Sequence, residues 1–433
     1  MPPIADHPLR YSLTNELHAR PAPAIPVPGT VAFLALKPES DAAARDRSQD
    51  RGHLLALLDR FGATHPAPEA THHGCMLGRH GLKWESHTEF VSYTGTAPGL
   101  PDRAFDPSVF DIYPSDWLKA APGLRMTSIL IQIMQMPCLE NGSADEPAVA
   151  ARLGEWFVGE SLATSWVVDA AALVASDFRI DPAGHIRMAV FVMPGTGPHR
   201  TGRIVQRLCE IETYKTMSML GLARARQISG EMGALDRKLG ALINDMAAGM
   251  PKPEASLDAL MGVSAELERL QTSASFRFGA TRAYEALVHA RIQVLREARF
   301  QGRQTLAEFM QRRFDPAMRT VTAAETRLAG MSDRAIRAAR LLSTQVEVAR
   351  SAQNQDLLKS MDRRADLQLR LQRTVEGLSV VAISYYGVNL AANLVMPLAE
   401  PLGLGRTATM AALTPLVILA VWLMVHRVRK MLG

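Results

Sequence analysis

The sequence predicts an α+β domain, then long helices, then a C-terminal two-helix transmembrane hairpin. Three observations carry this. Strand-like and helical apolar patterns mix up to about residue 197. From Arg200 onward the pattern is helical throughout. Two uncharged apolar runs, 377–399 and 407–425, close the chain. The expected domains are 1–197, an α+β domain; 198–375, a long stalk-like helical region; and 376–433, the hairpin with a short basic tail.

Taken in order, residues 1–30 are proline-rich, with a short helical stretch at LRYSLTNELHA. VAFLALK (31–37) has the β-branched and apolar content of a strand. In 45–62, Leu54, Leu55, Leu57, Leu58 and Phe61 share a helical face and Gly62 suits the stop. Residues 82–94 alternate in polarity and predict one strand with a polar face. MTSILIQIMQM (126–136) and 162–175 predict two further strands, and 176–194 a hairpin about Pro-Ala-Gly. Helices follow over 201–249 and 256–300, with a turn marked by Pro251 and Pro253. A third helix starts near Thr305 and kinks at Pro316. Its seam runs from Met331 through Ala335, Ala338, Leu342, Val346, Ala349, Gln353 and Leu357 to Met361. Steps of mostly four residues match an undistorted helix, so a straight or slightly right-handed helix bundle is expected around that seam.

The first uncharged run of 23 residues covers about 34 Å at about 1.5 Å per residue, against a bilayer core of about 30 Å. The second, of 19 residues, is just long enough, and Pro415 within it is tolerable in a membrane helix. Arg363, Arg364, Arg370 and Arg373 precede the first run; His426, Arg427, Arg429 and Lys430 follow the second. Excess Lys and Arg marks the cytoplasmic side. Both termini and residues 1–375 are therefore expected in the cytoplasm, with the hairpin in the membrane. The N-terminus has no apolar stretch of secretory type. Cys75, Cys138 and Cys209 are odd in number and far apart, as free thiols in a reducing compartment are. The net charge is +5, and the basic residues gather near the membrane end, which suits lipid headgroups as a partner. Basic residues interleave with acidic ones and form no aromatic-basic platform, so no nucleic-acid partner is expected.

Few constellations carry chemistry. Glu85, His87 and Glu89 in WESHTEF would share one strand face. Two carboxylates beside an imidazole favour its charged form, and the group would hold a basic segment such as Arg10 or Arg20, serve acid–base transfer, or be an internal ion-pair network. His65, His72, His73, Cys75, His80 and His87 crowd 23 residues without the spacing of a zinc finger or ribbon. The metal and cofactor content is left open, a divalent cation being the one candidate. Arg207, Glu210, Glu212 and Tyr214 fall at helical neighbour spacings that suit packing or pairing between subunits. GxxxxGK[ST], GxGxxG opening a helix, HExxH and GxSxG do not occur, which leaves enzymatic activity without support.

Several strings resemble one bacterial membrane-anchored family known only as domain of unknown function 3422. They are His7-Pro8-Leu9-Arg10 with NELHARP (15–21), WESHTEF (84–90), SDFR (176–179), GRIVQRLCEIETYK (202–215) and 353–386. The resemblance implies anchoring in the bacterial inner membrane and no particular activity. The triplet Gly387-Val388-Asn389 after Tyr386 also resembles the CorA-type divalent cation channels, in which a cytoplasmic α/β domain feeds a stalk helix, two spans and a basic tail. That likeness implies a homo-oligomer with pore candidates Gly387, Asn389 and Asn393. Asn389 stands 13 residues beyond Glu376, about 20 Å into the core rather than at its outer mouth. Helix packing by Gly387, Ala391 and Ala392, with the asparagines bonding between helices, competes with the pore reading. The two functional expectations are an oligomeric divalent cation channel and a membrane-anchored scaffold or sensor whose cytoplasmic domain binds a partner.

The hairpin makes a topological prediction. In a chain freed of its native thiols, Gly403→Cys should react with an impermeant reagent added outside, and Gly433→Cys only after permeabilisation. The reverse labelling would refute the orientation.

Overall fold

The computed structural model describes residues 4, 6–17, 21–39, 45–248, 253–399 and 405–432. Among these it contains nine α-helices and a nine-stranded sheet. The short α1 (Arg10–Leu17) precedes β1 (Gly29–Lys37), α2 (Arg47–Phe61), β2 (His72–Leu77), β3 (His80–Ser86) and β4 (Val91–Pro98). Then come a 3-10 turn at Pro107–Ile112, α3 (Ser115–Lys119), β5 (Leu124–Gln135), α4 (Glu146–Trp156), β6 (Ala163–Val167), β7 (Ala172–Ile180) and β8 (Ile186–Val192). The rest is α5 (Pro198–Ala247), α6 (Pro253–Leu295), β9 (Ala298–Arg299), α7 (Leu306–Arg313), α8 (Asp315–Ala399) and α9 (Arg406–Leu432). The chain divides into two compact units, one of 1–248 with 259–337 and one of 249–258 with 338–433.

The sheet runs β2-β3-β4-β1-β5-β8-β7-β6-β9. β5 and β8 are parallel; the other described pairs are antiparallel. Both faces of its centre are covered, so β1 reads as an almost continuous apolar run. One face carries Leu34, Trp84, Tyr93 and Leu130 against α2, α3 and α4. The alternate positions, such as Val31, Phe33 and Ile131, are buried as well. α5 lies against β5 and buries Ile204, Val205, Leu208 and Ile211. Segment 21–26 crosses the start of α5, where Ile25 donates its backbone N–H to Pro198 at 3.2 Å. Gly202 is required there: a Cβ would stand 1.7 Å from the Pro23 carbonyl oxygen.

Local chemistry explains the element ends. Asp46 caps α2 through Ser48 N–H, and Gly62 closes it at φ 59°. Gly184, at φ +89°, turns β7 into β8, as the Pro-Ala-Gly signal requires. Thr305 and Glu308 form a capping box on α7, whose first N–H groups are also taken by the Glu297 carboxylate at 3.0 and 2.9 Å.

Four expectations are corrected. Residues 82–94 are two strands, because 87–90 turn and His87 N–H closes on the Phe90 carbonyl at 2.9 Å. Residues 162–175 also divide, at a turn where Val168, Asp169 and Ala170 all have positive φ. The third helix breaks at Phe314, and Pro316 lies in the first turn of α8, where a missing N–H costs nothing. The seam is buried at Met331, Ala335, Ala338, Leu342 and Val346 only. Ala349, Gln353, Leu357 and Met361 are exposed. The reason is length: Glu254, in the first turn of α6, pairs with Arg350 at 2.9 Å, so α6 begins where the seam surfaces.

The core holds a histidine. His53 Nε2 lies 3.0 Å from the Trp117 carbonyl, which only accepts, so Nε2 carries the proton and Nδ1 accepts from the Tyr93 hydroxyl at 3.1 Å. The ring stacks on Trp117 at 3.9 Å. Burial holds its pKa below the usual value. The unfolded chain takes up a proton near pH 6.5 while the native site does not, so stability is complete above that pH and declines as pH falls toward the depressed value. His185, depressed by burial too, adds the same sign. Melting temperature should therefore drop between pH 7.5 and 5.5, and His53→Gln should reduce that drop while lowering stability at pH 7.5. An unchanged pH slope in His53→Gln would refute the assignment.

Candidate functional site

β3 presents Lys83 and Glu85 on one face and Trp84 on the other. Lys83 Nζ is 3.1 Å from Glu85 Oε1 and 3.4 Å from Gln206 Oε1 on α5. Across β4 stand Thr94 and Ser92, the register partners of Lys83 and Glu85. This polar patch meets Cys209, Glu210, Thr213 and Tyr214 of α5 around a cavity of about 30 Å³. That is room for about two waters and no organic ligand.

The turn between β3 and β4 separates the residues that one strand would have aligned. His87 stacks on Phe90 at 4.2 Å, with Nε2 3.4 Å from Ser92 Oγ. Glu89, 2% exposed, is gripped from α6: Arg277 places both terminal nitrogens on its two oxygens, and the Tyr284 hydroxyl donates to Oε1 at 3.0 Å. Tyr284 stacks on Tyr214 at 5.7 Å, and Tyr214 meets Phe90 edge-on at 6.4 Å. Burial first, then Glu89, raises the Tyr284 pKa, which keeps the hydroxyl a donor. Lys37 is pulled below its ordinary value by burial and by Arg277. Glu85 and Glu89 thus serve two separate ion pairs, both in the interior. Arg10 pairs instead with Asp6, and Arg20 lies outside the described residues.

The histidine-rich stretch does not converge. His65 pairs with Asp59 at 2.7 Å and His73 Nε2 with the Thr64 carbonyl at 2.7 Å. Among the described residues no group of three His, Cys, Asp or Glu side chains is placed to hold a metal ion.

The C-terminal apolar helices pack on each other. Gly387 allows close approach: a Cβ there would stand 3.0 Å from Val417 Cγ1 on α9. Ser384, Val388 and Ala392 are buried, and Ser384 Oγ has no hydrogen-bond partner among the described residues. Asn389 donates to its own helix, Nδ2 to the Tyr385 carbonyl at 3.1 Å, and Asn393 is exposed. At about 100° per residue, Asn389 and Asn393 stand roughly 140° and 180° around α8 from Ser384.

The family model for "Protein of unknown function (DUF3422)" matches residues 5–432. The chain belongs to that family. No curated protein and no solved structure matches it. The likeness to divalent cation channels accordingly rests on element order and the Gly-Val-Asn triplet alone. Among the described residues, two helices are long and apolar enough to cross a membrane, and only 11% and 6% of their most apolar windows are buried.

What sequence reasoning missed is Arg277, which lies 188 residues from Glu89 in an unremarkable helical stretch. Removing it strands a buried carboxylate, so Arg277→Ala should cost about 3 kcal/mol. Glu89→Gln, which can still accept from Tyr284, should cost less. Thermal melts check both; a wild-type melting temperature for Arg277→Ala would refute the role of the pair.

Proposed function

We propose that the protein is an inner-membrane homo-oligomer that passes hydrated divalent cations along an axis lined by the first span. The single observation behind this is the face of α8 turned away from α9. Leu371, Val375, Ala382, Tyr386 and Asn393 fall roughly 140–200° around the helix from the buried Ser384, and Asn389 stands at the edge of this strip, where it also lines a pocket with Met410, Thr414 and Ile418 of α9. All except the half-buried Asn389 are exposed. Side-chain amides are expensive against hydrocarbon and are found facing protein or water. Other first spans supply that environment if the strips converge on an axis. The strip continues the exposed apolar residues Leu357 and Met361 of the same helix, which need cover of the same kind. A lone pair of spans cannot enclose a pore, so conduction on this reading requires several subunits. Neutral amides at Asn389 and Asn393 would hold a hydrated ion weakly enough to release it.

A second reading shares the assembly and omits conduction: the asparagines bond between helices and anchor a cytoplasmic scaffold or sensor. It is favoured by the close approach at Gly387 and by the pocket that Asn389 lines with Met410, Thr414 and Ile418 of α9.

Flux in liposomes separates the two. Under the channel reading, Asn389→Leu should lose divalent cation flux by tenfold or more while detergent-solubilised protein keeps its oligomeric mass. Under the anchor reading the variant should lose mass instead. Wild-type protein that carries no flux across a range of divalent ions would end the channel reading.

A further inference from the structure

We propose that the cleft between α5 and α6 lined by Arg203, Arg207 and Arg291 binds a small phosphate-bearing anion. This is independent of the reading of the membrane helices.

The cleft has a volume of about 290 Å³. That lies at the lower end of small-molecule sites, roughly 300 Å³. It is therefore sized for a phosphate or pyrophosphate group rather than for a large ligand. Its lining combines these three arginines with Glu210, Gln206, Ala22 and Val294.

The charge does not balance within the chain. Arg203 and Arg207, one turn apart on α5, make no salt bridge and no hydrogen bond among the described residues, and Glu210 acts on Arg207 only through space. The one carboxylate in the lining, Glu210, is already engaged: Gln206 donates to it at 2.8 Å and Arg291 from its Nε. Three guanidinium groups against one carboxylate leave a net charge of +2. Neighbouring arginines are treated differently. Arg200 and Arg296 both reach Asp169, at 4.0 and 2.5 Å, so that end of the surface is partly neutralised.

Like charges this close repel. Burial, then Arg203, pulls the Arg207 pKa below its ordinary value; Glu210 opposes this, and Arg291 and Arg296 add to it. Arginine does not lose its proton in water near neutrality, so the repulsion persists in the native state. An anion relieves it. Guanidinium forks suit tetrahedral oxyanions because two parallel N–H groups meet two oxygens. Phosphate, with about two negative charges near neutral pH, matches the excess.

The test uses the full chain in a non-ionic detergent, titrated with pyrophosphate and inorganic phosphate at constant ionic strength, with chloride as the control. Melting temperature should rise saturably with pyrophosphate and not with chloride. Arg203→Gln and Arg207→Gln should each weaken the half-saturating concentration at least tenfold. Each should also melt no lower than wild type without anion, because the repulsion is gone. Arg226→Gln, on the exposed part of the same helix, should titrate as wild type. Repeating the titration in nanodiscs distinguishes the source. Equal pyrophosphate affinity in phosphatidylcholine and phosphatidylglycerol discs assigns a free phosphate compound; loss of the titration in phosphatidylglycerol alone assigns a lipid headgroup. No saturable shift in wild type, or an equal shift in the Arg203→Gln/Arg207→Gln double variant, overturns the proposal.

Discussion

A carboxylate taken out of water must find partners, and Glu89 imposes that requirement on the polar layer of the sheet unit. It is almost fully buried at the tip of the β3–β4 hairpin. An unpaired charge there would cost several kcal/mol. Arg277 and Tyr284 meet the need from α6, and both come from one helical face, seven residues apart. The pairing thus ties a turn early in the chain to a helix late in it. Tyr214 fills the gap between them by stacking on Tyr284.

The same layer shows why polar residues recur on a sheet face that is otherwise apolar. Lys83 and Glu85 neutralise each other, and Gln206 shares the ammonium. Each charged group is answered, and the space left over is water-sized. Such an arrangement supports a rigid interior rather than acid–base chemistry on a substrate. Answered charges lie inward near β3 and β4, while unanswered arginines lie at the α5–α6 surface. That contrast directs the search for a ligand to the surface cleft.

In the C-terminal helices the governing quantity is exposed apolar area. Leu357, Leu358 and Met361 are each more than 60% exposed, and so are Leu378, Tyr385 and Tyr386 farther along α8. Water disfavours so long an apolar surface. On the proposed reading, lipid covers part of it and copies of the same helix cover the polar strip that lipid serves poorly. Gly387 and Ala392 bring α8 against α9 on one side and leave Asn393 exposed on the other, with Asn389 between them at a pocket shared with α9.

By itself the sequence determined what depends on neighbours along the chain. Composition and periodicity were enough for the strands at 31–37 and 126–136, the Gly62 stop, the Pro-Ala-Gly hairpin, the Thr305 helix start and the two apolar runs. The strings at 84–90 and 202–215 were enough for the family. What needed tertiary structure was wherever distant residues meet. The 87–90 turn escaped notice because alternating polarity runs straight through it, and only the buried partner of Glu89 shows why the strand must reverse. The division of 162–175 rests on three left-handed residues that no glycine announces. The end of the buried seam depends on where α6 begins, a fact about another helix. The arginine cleft joins α5 to a residue 84 positions beyond Arg207, and an unpaired charge is visible only when all nearby carboxylates have been placed. Periodicity reports which face of an element avoids water; it carries no information about which distant charge that face will meet.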